Sequence, residues 1–211
     1  MGYDERDVAR NKTPEHQWER YYNLKPGDVY VEAGAYLCRY GRIASRKVGP
    51  GGLVILIEPS PRNVEVIKEV IDEMNLGNVI LVEKAVWSEK GTNLFRVDGN
   101  PGASRLVFQQ IPSAEIIEVK TDTVDNILDG LGLNHVDLFA ADVENAEVEM
   151  VKGMKRGLGE ERIKNIAIAA YHKHPDGNYA EISMMLEEKE YRVIKVWGGV
   201  VYAHVSRTTQ S

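Results

Sequence analysis

Short apolar runs alternate with longer segments of helical spacing along most of the chain. Residues 53–58 (LVILIE) are apolar on nearly every position, the pattern of a strand buried on both faces, and 28–33, 79–84, 136–141 and 163–170 read as further strands. Between them, 40–48, 61–74, 123–131, 146–156 and 178–188 carry helical spacing. Ser60 and Pro61 mark one helix start as a hydroxyl cap followed by proline at the first position. Asp122 is the expected cap for 123–131, Asn145 precedes 146–156, and Asn178 with Glu181 predicts a capping box. Residues 15–23 (EHQWERYYN) read as a short helix ended by the turn Lys25-Pro26-Gly27-Asp28. Segments 93–97 and 115–119 are weaker strand candidates around a loop of Gly, Pro and Ser. At the end, 191–196 and 200–205 flank Gly198-Gly199 as a closing hairpin.

Such alternation predicts an α/β fold: a mostly parallel sheet with helices on both faces, to which the hairpin adds an antiparallel strand. Ligands of these sheets lie beyond the carboxyl ends of the strands, where strand order reverses. Three strand ends carry candidate chemistry there. After the first strand comes Glu32-Ala33-Gly34, where a small residue lets backbone approach a ligand; a plain turn reads equally well. Residues 34–39 read GAYLCR, which lacks the G-x-G-x-x-G fingerprint and argues against NAD. Glu58 ends the second strand, 24 residues beyond Gly34, where an acid can accept from ribose hydroxyls. Asp142 and Glu144 follow the strand at 136–141 and could meet a cationic amine, hold a metal or act as a base. Alternatively, Glu144 and Glu147 complement the dipole of the next helix.

Composition narrows the classes. The 211 residues are 43% hydrophobic and 27% charged, as in a soluble globular domain. Against 32 acids stand 26 Lys and Arg, a net charge of -6, which argues against non-specific nucleic-acid binding. The single cysteine, Cys38, excludes an intrachain disulfide. No apolar run reaches the length of a membrane span, and the charged start fits neither a signal peptide nor a myristoylation signal. A cytoplasmic location is therefore expected.

Three stretches, VYVEAGAYLCRYG, LVILIEPSPRN and VDLFAADVENAEVEMVKGM, together resemble the FkbM family of S-adenosylmethionine-dependent methyltransferases. Their order and spacing match the family's acid-x-Gly loop, "EPSP" segment and "IDVEGAE…LKGM" pattern. Thr123-Val124-Asp125 resembles its "TLD", and EKAVWSEKGTNLF fits the segment after the third strand. The resemblance implies a Rossmann-like class I methyltransferase fold over residues 25–207, with 1–24 an N-terminal helical extension and 208–211 a polar tail. It implies S-adenosylmethionine as cofactor. Glu32, Gly34, Ala35 and Tyr36 would flank its methionine arm, and Glu58 its ribose, with Pro59 and Ser60 beside the adenosine. Ala85, Val86 and Trp87 would surround the adenine, and Asp142 would face the amino group and the reacting methyl.

The implied activity is methyl transfer, read here as O-methylation of a small molecule or saccharide. Protein, RNA or amine acceptors, or cofactor binding without catalysis, are the alternatives. Asp142, Glu144 and His172 are the candidate catalytic residues, His172 alongside His174 in YHKH after the strand at 163–170. Too few ligands cluster there for zinc, and no resident metal is expected. Four positions depart from the family pattern: Tyr36 stands for Asn, Cys38 for Gly, Ala140 for Lys and Asn145 for Gly. Trp18, Tyr21 and Tyr22 read as a stripe packed on the domain, a lid or a homodimer contact, and Ser104-Arg105 as a substrate contact or surface loop.

Overall fold

The computed structural model describes residues 17–99, 104–107, 109, 111, 114–170, 178–197 and 199–206. A 3₁₀ turn, Gln17–Glu19, stands where the sequence pattern predicts a helix over 15–23. From there run β1 (Val29–Ala33), α1 (Gly41–Val48), β2 (Leu53–Ile57), α2 (Pro61–Glu73), β3 (Val79–Val82), β4 (Ala85–Val86), β5 (Gly91–Val97), β6 (Arg105–Val107) and β7 (Glu115–Asp122). The second half comprises α3 (Val124–Gly130), β8 (Val136–Ala141), α4 (Glu147–Lys152), α5 (Lys155–Gly159), β9 (Ile163–Ala169), α6 (Tyr179–Glu187), β10 (Tyr191–Trp197) and β11 (Val200–Val205).

Seven strands form the main sheet in the order β10-β11-β9-β8-β1-β2-β3. The β3-β2-β1-β8-β9 core is parallel, and β11 runs antiparallel between β9 and β10. The expected class is thus observed: a parallel α/β sheet closed by an antiparallel hairpin. Alternate side chains of each central strand enter opposite layers. Val31, Ala33, Ile55, Ile57, Phe139 and Ala141 pack with α3 to α6 through Leu128, Met150, Leu158 and Ile182. Tyr30, Val54, Leu56 and Leu138 face the other way, onto Ala44, Val48, Ile67 and Val70 of α1 and α2, and onto Trp18 and Leu24.

Several local expectations give way to tertiary contacts. Thr123, not Asp122, caps α3, its hydroxyl accepting from Asn126 N at 3.0 Å; Asp122 accepts from Thr123 N instead. Ser60 precedes α2 as expected but makes no side-chain cap bond. Asn178 does not close a capping box with Glu181; its amide reaches Glu147 at 3.4 Å. The helix expected over 146–156 breaks into α4 and α5. Asp125 caps the second of them: its carboxylate accepts from Arg156 N and Gly157 N, each at 2.8 Å. The weak strand candidates belong to a second sheet, β4-β7-β5-β6, in which β5 pairs antiparallel with both β6 and β7. That sheet was not expected, because its strands are largely half-exposed and so lack the continuous apolar runs of the central strands.

Candidate functional site

The strand order reverses at β1: β2 and β3 lie on one side, β8 and β9 on the other. At the carboxyl ends, β1, β2 and β8 are stitched together. Gly34 N donates to Ile57 O at 2.9 Å, and Asp142 N to Ala33 O at 3.0 Å. Gly34 has φ +80°, and a Cβ there would lie 2.0 Å from the Asp142 carbonyl oxygen. Only glycine fits between the β1 and β8 ends.

Beyond Gly34 the loop turns twice through left-handed backbone, at Tyr36 (φ 54°) and Cys38 (φ 58°). These are two of the positions where the family pattern has Asn and Gly, residues that adopt this conformation readily. Here each larger residue is held there by its surroundings. Cys38 is fully buried, and burial pushes its thiol up to about 12, so it is no nucleophile.

Glu58 anchors the loop from the β2 side. Its Oε2 accepts from Tyr36 N at 2.9 Å; its Oε1 accepts from Ser60 N at 3.0 Å and Asn63 Nδ2 at 3.3 Å. Burial pushes the carboxyl up to about 7 despite these three donors. Behind the loop, Glu32 is buried within β1, and burial carries its carboxyl up to about 8. The Trp18 side chain hydrogen-bonds to it and opposes that rise, while the Asp142 and Glu58 charges add to it. Oε2 of Glu32 has no partner among the described residues.

On the β8 side, Glu144 (φ 48°) and Asn145 (φ 78°) both take left-handed backbone after Asp142. Fully buried Glu147 fixes this turn by accepting from Asn145 N at 3.0 Å. Glu147 therefore ties down the loop as well as lying in the first turn of α4. Backbone in sparsely populated regions, held by its surroundings, is common where side chains must be aimed.

These loops enclose a cleft of about 520 Å³, counting space open to solvent. Of the residues singled out from sequence, Gly34, Tyr36, Glu58, Pro59, Ala85, Val86, Ser104, Asp142 and Glu144 line it. Glu32, Ala35 and Ser60 are buried behind its wall. Trp87 is not among the lining residues; its N–H donates to Asp122 O at 2.9 Å, and its carbonyl abuts Gly153. His172 and His174 lie outside the described residues, as do Gly198 and most of the loop before Ser104.

Sequence reasoning missed Asn63, Lys84, Phe95 and Leu106 on the cleft wall. Asn63 had a readable signal, being in the first turn of the helix that starts at Pro61. Phe95 and Leu106 had none, since they reach the cleft only through the second sheet. Lys84 pairs with Asp122 Oδ2 at 2.8 Å. Burial raises the Asp122 carboxyl, but the Lys84, Asn126 and Thr123 hydrogen bonds outweigh it and hold the group below its usual range. Among the described residues, no three His, Cys, Asp or Glu side chains converge as a metal set, and no helix is long and apolar enough to cross a membrane.

Among curated proteins none matches the chain. Solved structures share its fold. The FkbM methyltransferase from Methylobacillus flagellatus KT superposes with a TM-score of 0.63 at 16% identity, over 88% of this chain and 46% of that one. This chain therefore spans about half the length of that relative. An Aquifex aeolicus SAM-dependent methyltransferase matches over 97% of this chain and 100% of its own, with TM-score 0.50 and 17% identity. Aeropyrum pernix fibrillarin, solved with natively bound S-adenosyl-L-methionine, matches over 85% and 67%, with TM-score 0.55 and 14% identity. The family model for the methyltransferase FkbM domain matches residues 31–193, most of the chain and both strand ends that carry Glu58 and Asp142. With the class I methyltransferase fold and that match together, the chain belongs to the FkbM methyltransferase family.

Proposed function

We propose that the protein transfers a methyl group from S-adenosylmethionine to a hydroxyl of a small molecule or saccharide. One observation carries this reading: Gly34, Glu58 and Asp142, from three different strand ends, meet on one cleft at the switch point. The donor set suits the cofactor. Three carboxylates, Glu58, Asp142 and Glu144, line the cleft, and the ligand is a cation that also carries an ammonium and a ribose diol.

S-adenosylmethionine, when bound, supplies a methyl group activated on a sulfonium. Glu58 would hold the ribose: its Oε2 accepts one N–H among the described residues and keeps a lone pair for a hydroxyl. Gly34 and Tyr36 would border the methionine arm, with Glu32, Ala35 and Ser60 supporting that wall from behind. Pro59, Ala85 and Val86 would bound the adenine. Trp87 is assigned no direct contact, since it is not among the residues that line the cleft. Asp142 would orient the ammonium near the acceptor. Glu144 would take the proton from the acceptor hydroxyl as its oxygen attacks, with His172 the other candidate base. An in-line displacement of this kind depends chiefly on positioning.

The acidic cleft also favours a second reading, an amine acceptor drawn by Asp142 and Glu144. Calorimetry with S-adenosylmethionine and S-adenosylhomocysteine tests the cofactor assignment, and absence of binding at millimolar concentration would sink it. A methyl-donor assay against pooled metabolites, with mass detection of one added CH₂, then separates oxygen from nitrogen acceptors.

A further inference from the structure

We infer that the 3₁₀ turn at Gln17–Glu19 is a clamp on the loop at 34–40, with Trp18 and Glu19 as positioning residues for the cleft. Both lie outside residues 31–193, the stretch that the family model matches. The turn grips the loop at its two ends. Before the loop, the Trp18 side chain hydrogen-bonds to Glu32, two residues ahead of Gly34. After it, the Glu19 carboxylate accepts from the Tyr40 hydroxyl, Tyr40 being the residue that opens α1. Glu19 is 2% exposed, and it also accepts from Leu24 N at 2.7 Å and pairs with Lys47 of α1. A buried carboxylate with that many partners is a fixed point rather than a surface charge.

The turn is itself anchored to the sheet. Tyr202 of β11 donates to Gln17 O at 2.7 Å, and the Tyr21 and Tyr202 rings meet edge to face at 4.9 Å. Downstream, Tyr22 and Lys25 N both donate to Asp28, just ahead of β1. Tyr40 in turn packs on Tyr30 of β1, ring centroids 5.4 Å apart. The clamp thus runs from β11 through the turn to both ends of the loop.

The loop needs such a restraint. It holds Tyr36 and Cys38 in left-handed backbone, which favours glycine, so its geometry is imposed from outside. Tyr36 then presents its N–H to Glu58 at 2.9 Å. Loosening either grip lets the loop relax toward ordinary backbone and withdraws that N–H from Glu58.

Hydrogen exchange on the full chain tests this without a ligand. Trp18→Phe keeps an apolar plug but loses the indole donor; Glu19→Gln keeps the shape but loses the charge. Each should speed exchange of the amides at 35–40 about 3–10-fold, a single hydrogen bond's worth, with β8 and β9 amides unchanged. In a Cys38→Gly background, where glycine takes the left-handed position without restraint, the effect of Glu19→Gln should shrink. Equal acceleration in the loop and in β8 and β9, or no acceleration in the loop, overturns the clamp. An undiminished effect of Glu19→Gln beside Cys38→Gly also counts against it. A second arm rests on the proposed cofactor: both variants should weaken S-adenosylhomocysteine about 3–10-fold. If the wild-type chain binds no S-adenosylhomocysteine, the proposed function fails, while the exchange result still decides the clamp.

Discussion

The Tyr36 backbone N–H donates to Glu58 Oε2 at 2.9 Å, which makes the loop after β1 and the end of β2 one structural unit. Glu58 is therefore both a candidate ribose acceptor and the anchor of the loop that would border the methionine arm. Its removal should act on the cleft twice.

Glu58→Ala is expected to weaken S-adenosylhomocysteine binding by about 1.5–3 kcal/mol, the value of a hydrogen bond to a charged group. Calorimetry on the variant and wild type checks this. Unchanged affinity would mean that the ribose site lies elsewhere.

A pH dependence follows from the same carboxyl, which burial pushes up to about 7. Only the ionised form accepts from a ribose hydroxyl at full strength. Its folded value lies above the ordinary carboxyl range, so the ionised form is lost as pH falls through about 7. Affinity should rise from pH 6 to pH 8, and Glu58→Gln should flatten the rise while lowering its upper end. A wild-type profile as flat as that of the variant would detach binding from this group.

Asp142 lines the cleft from the β8 end. Asp142→Asn should cut turnover about 10²-fold, in line with misplacing the reacting groups, and shift the melting temperature little. Single-turnover methyl transfer beside a thermal melt separates the two effects. Full turnover in the variant removes Asp142 from the catalytic set.

Asp125 offers a contrast, since it belongs to the motif that resembles the family yet stands away from the cleft. Its carboxylate accepts from Arg156 N and Gly157 N, so it caps α5. Asp125→Ala should cost about 2 kcal/mol of stability, the range of a lost helix cap or charged hydrogen bond, and leave cofactor affinity intact. Denaturant titration and calorimetry together test it. A loss of affinity without a loss of stability would reverse the assignment.

Apolar patterning made β1, β2, β8 and β9 legible, because a strand buried on both faces must be apolar at nearly every position. Once those strands were placed, their ends placed Gly34, Glu58 and Asp142, since parallel sheets bring all carboxyl ends to one edge. The loop residues were legible in kind only. That Tyr36, Cys38 and Glu144 adopt left-handed backbone follows from what grips them, and no local preference of Tyr, Cys or Glu points there.

The chain's own pattern of residues thus decided the parallel core, its family and the strand ends that bear the acids. Tertiary structure alone decided the rest. Phe95 and Leu106 join the cleft wall because β5 pairs with β6 and β7 across intervening loops. Glu19, a charge with every local reason to face water, is buried because Tyr40, Lys47 and Leu24 N converge on it from elsewhere in the chain. Local sequence reports what a residue prefers; only packing reports which partners are near enough to outweigh that preference.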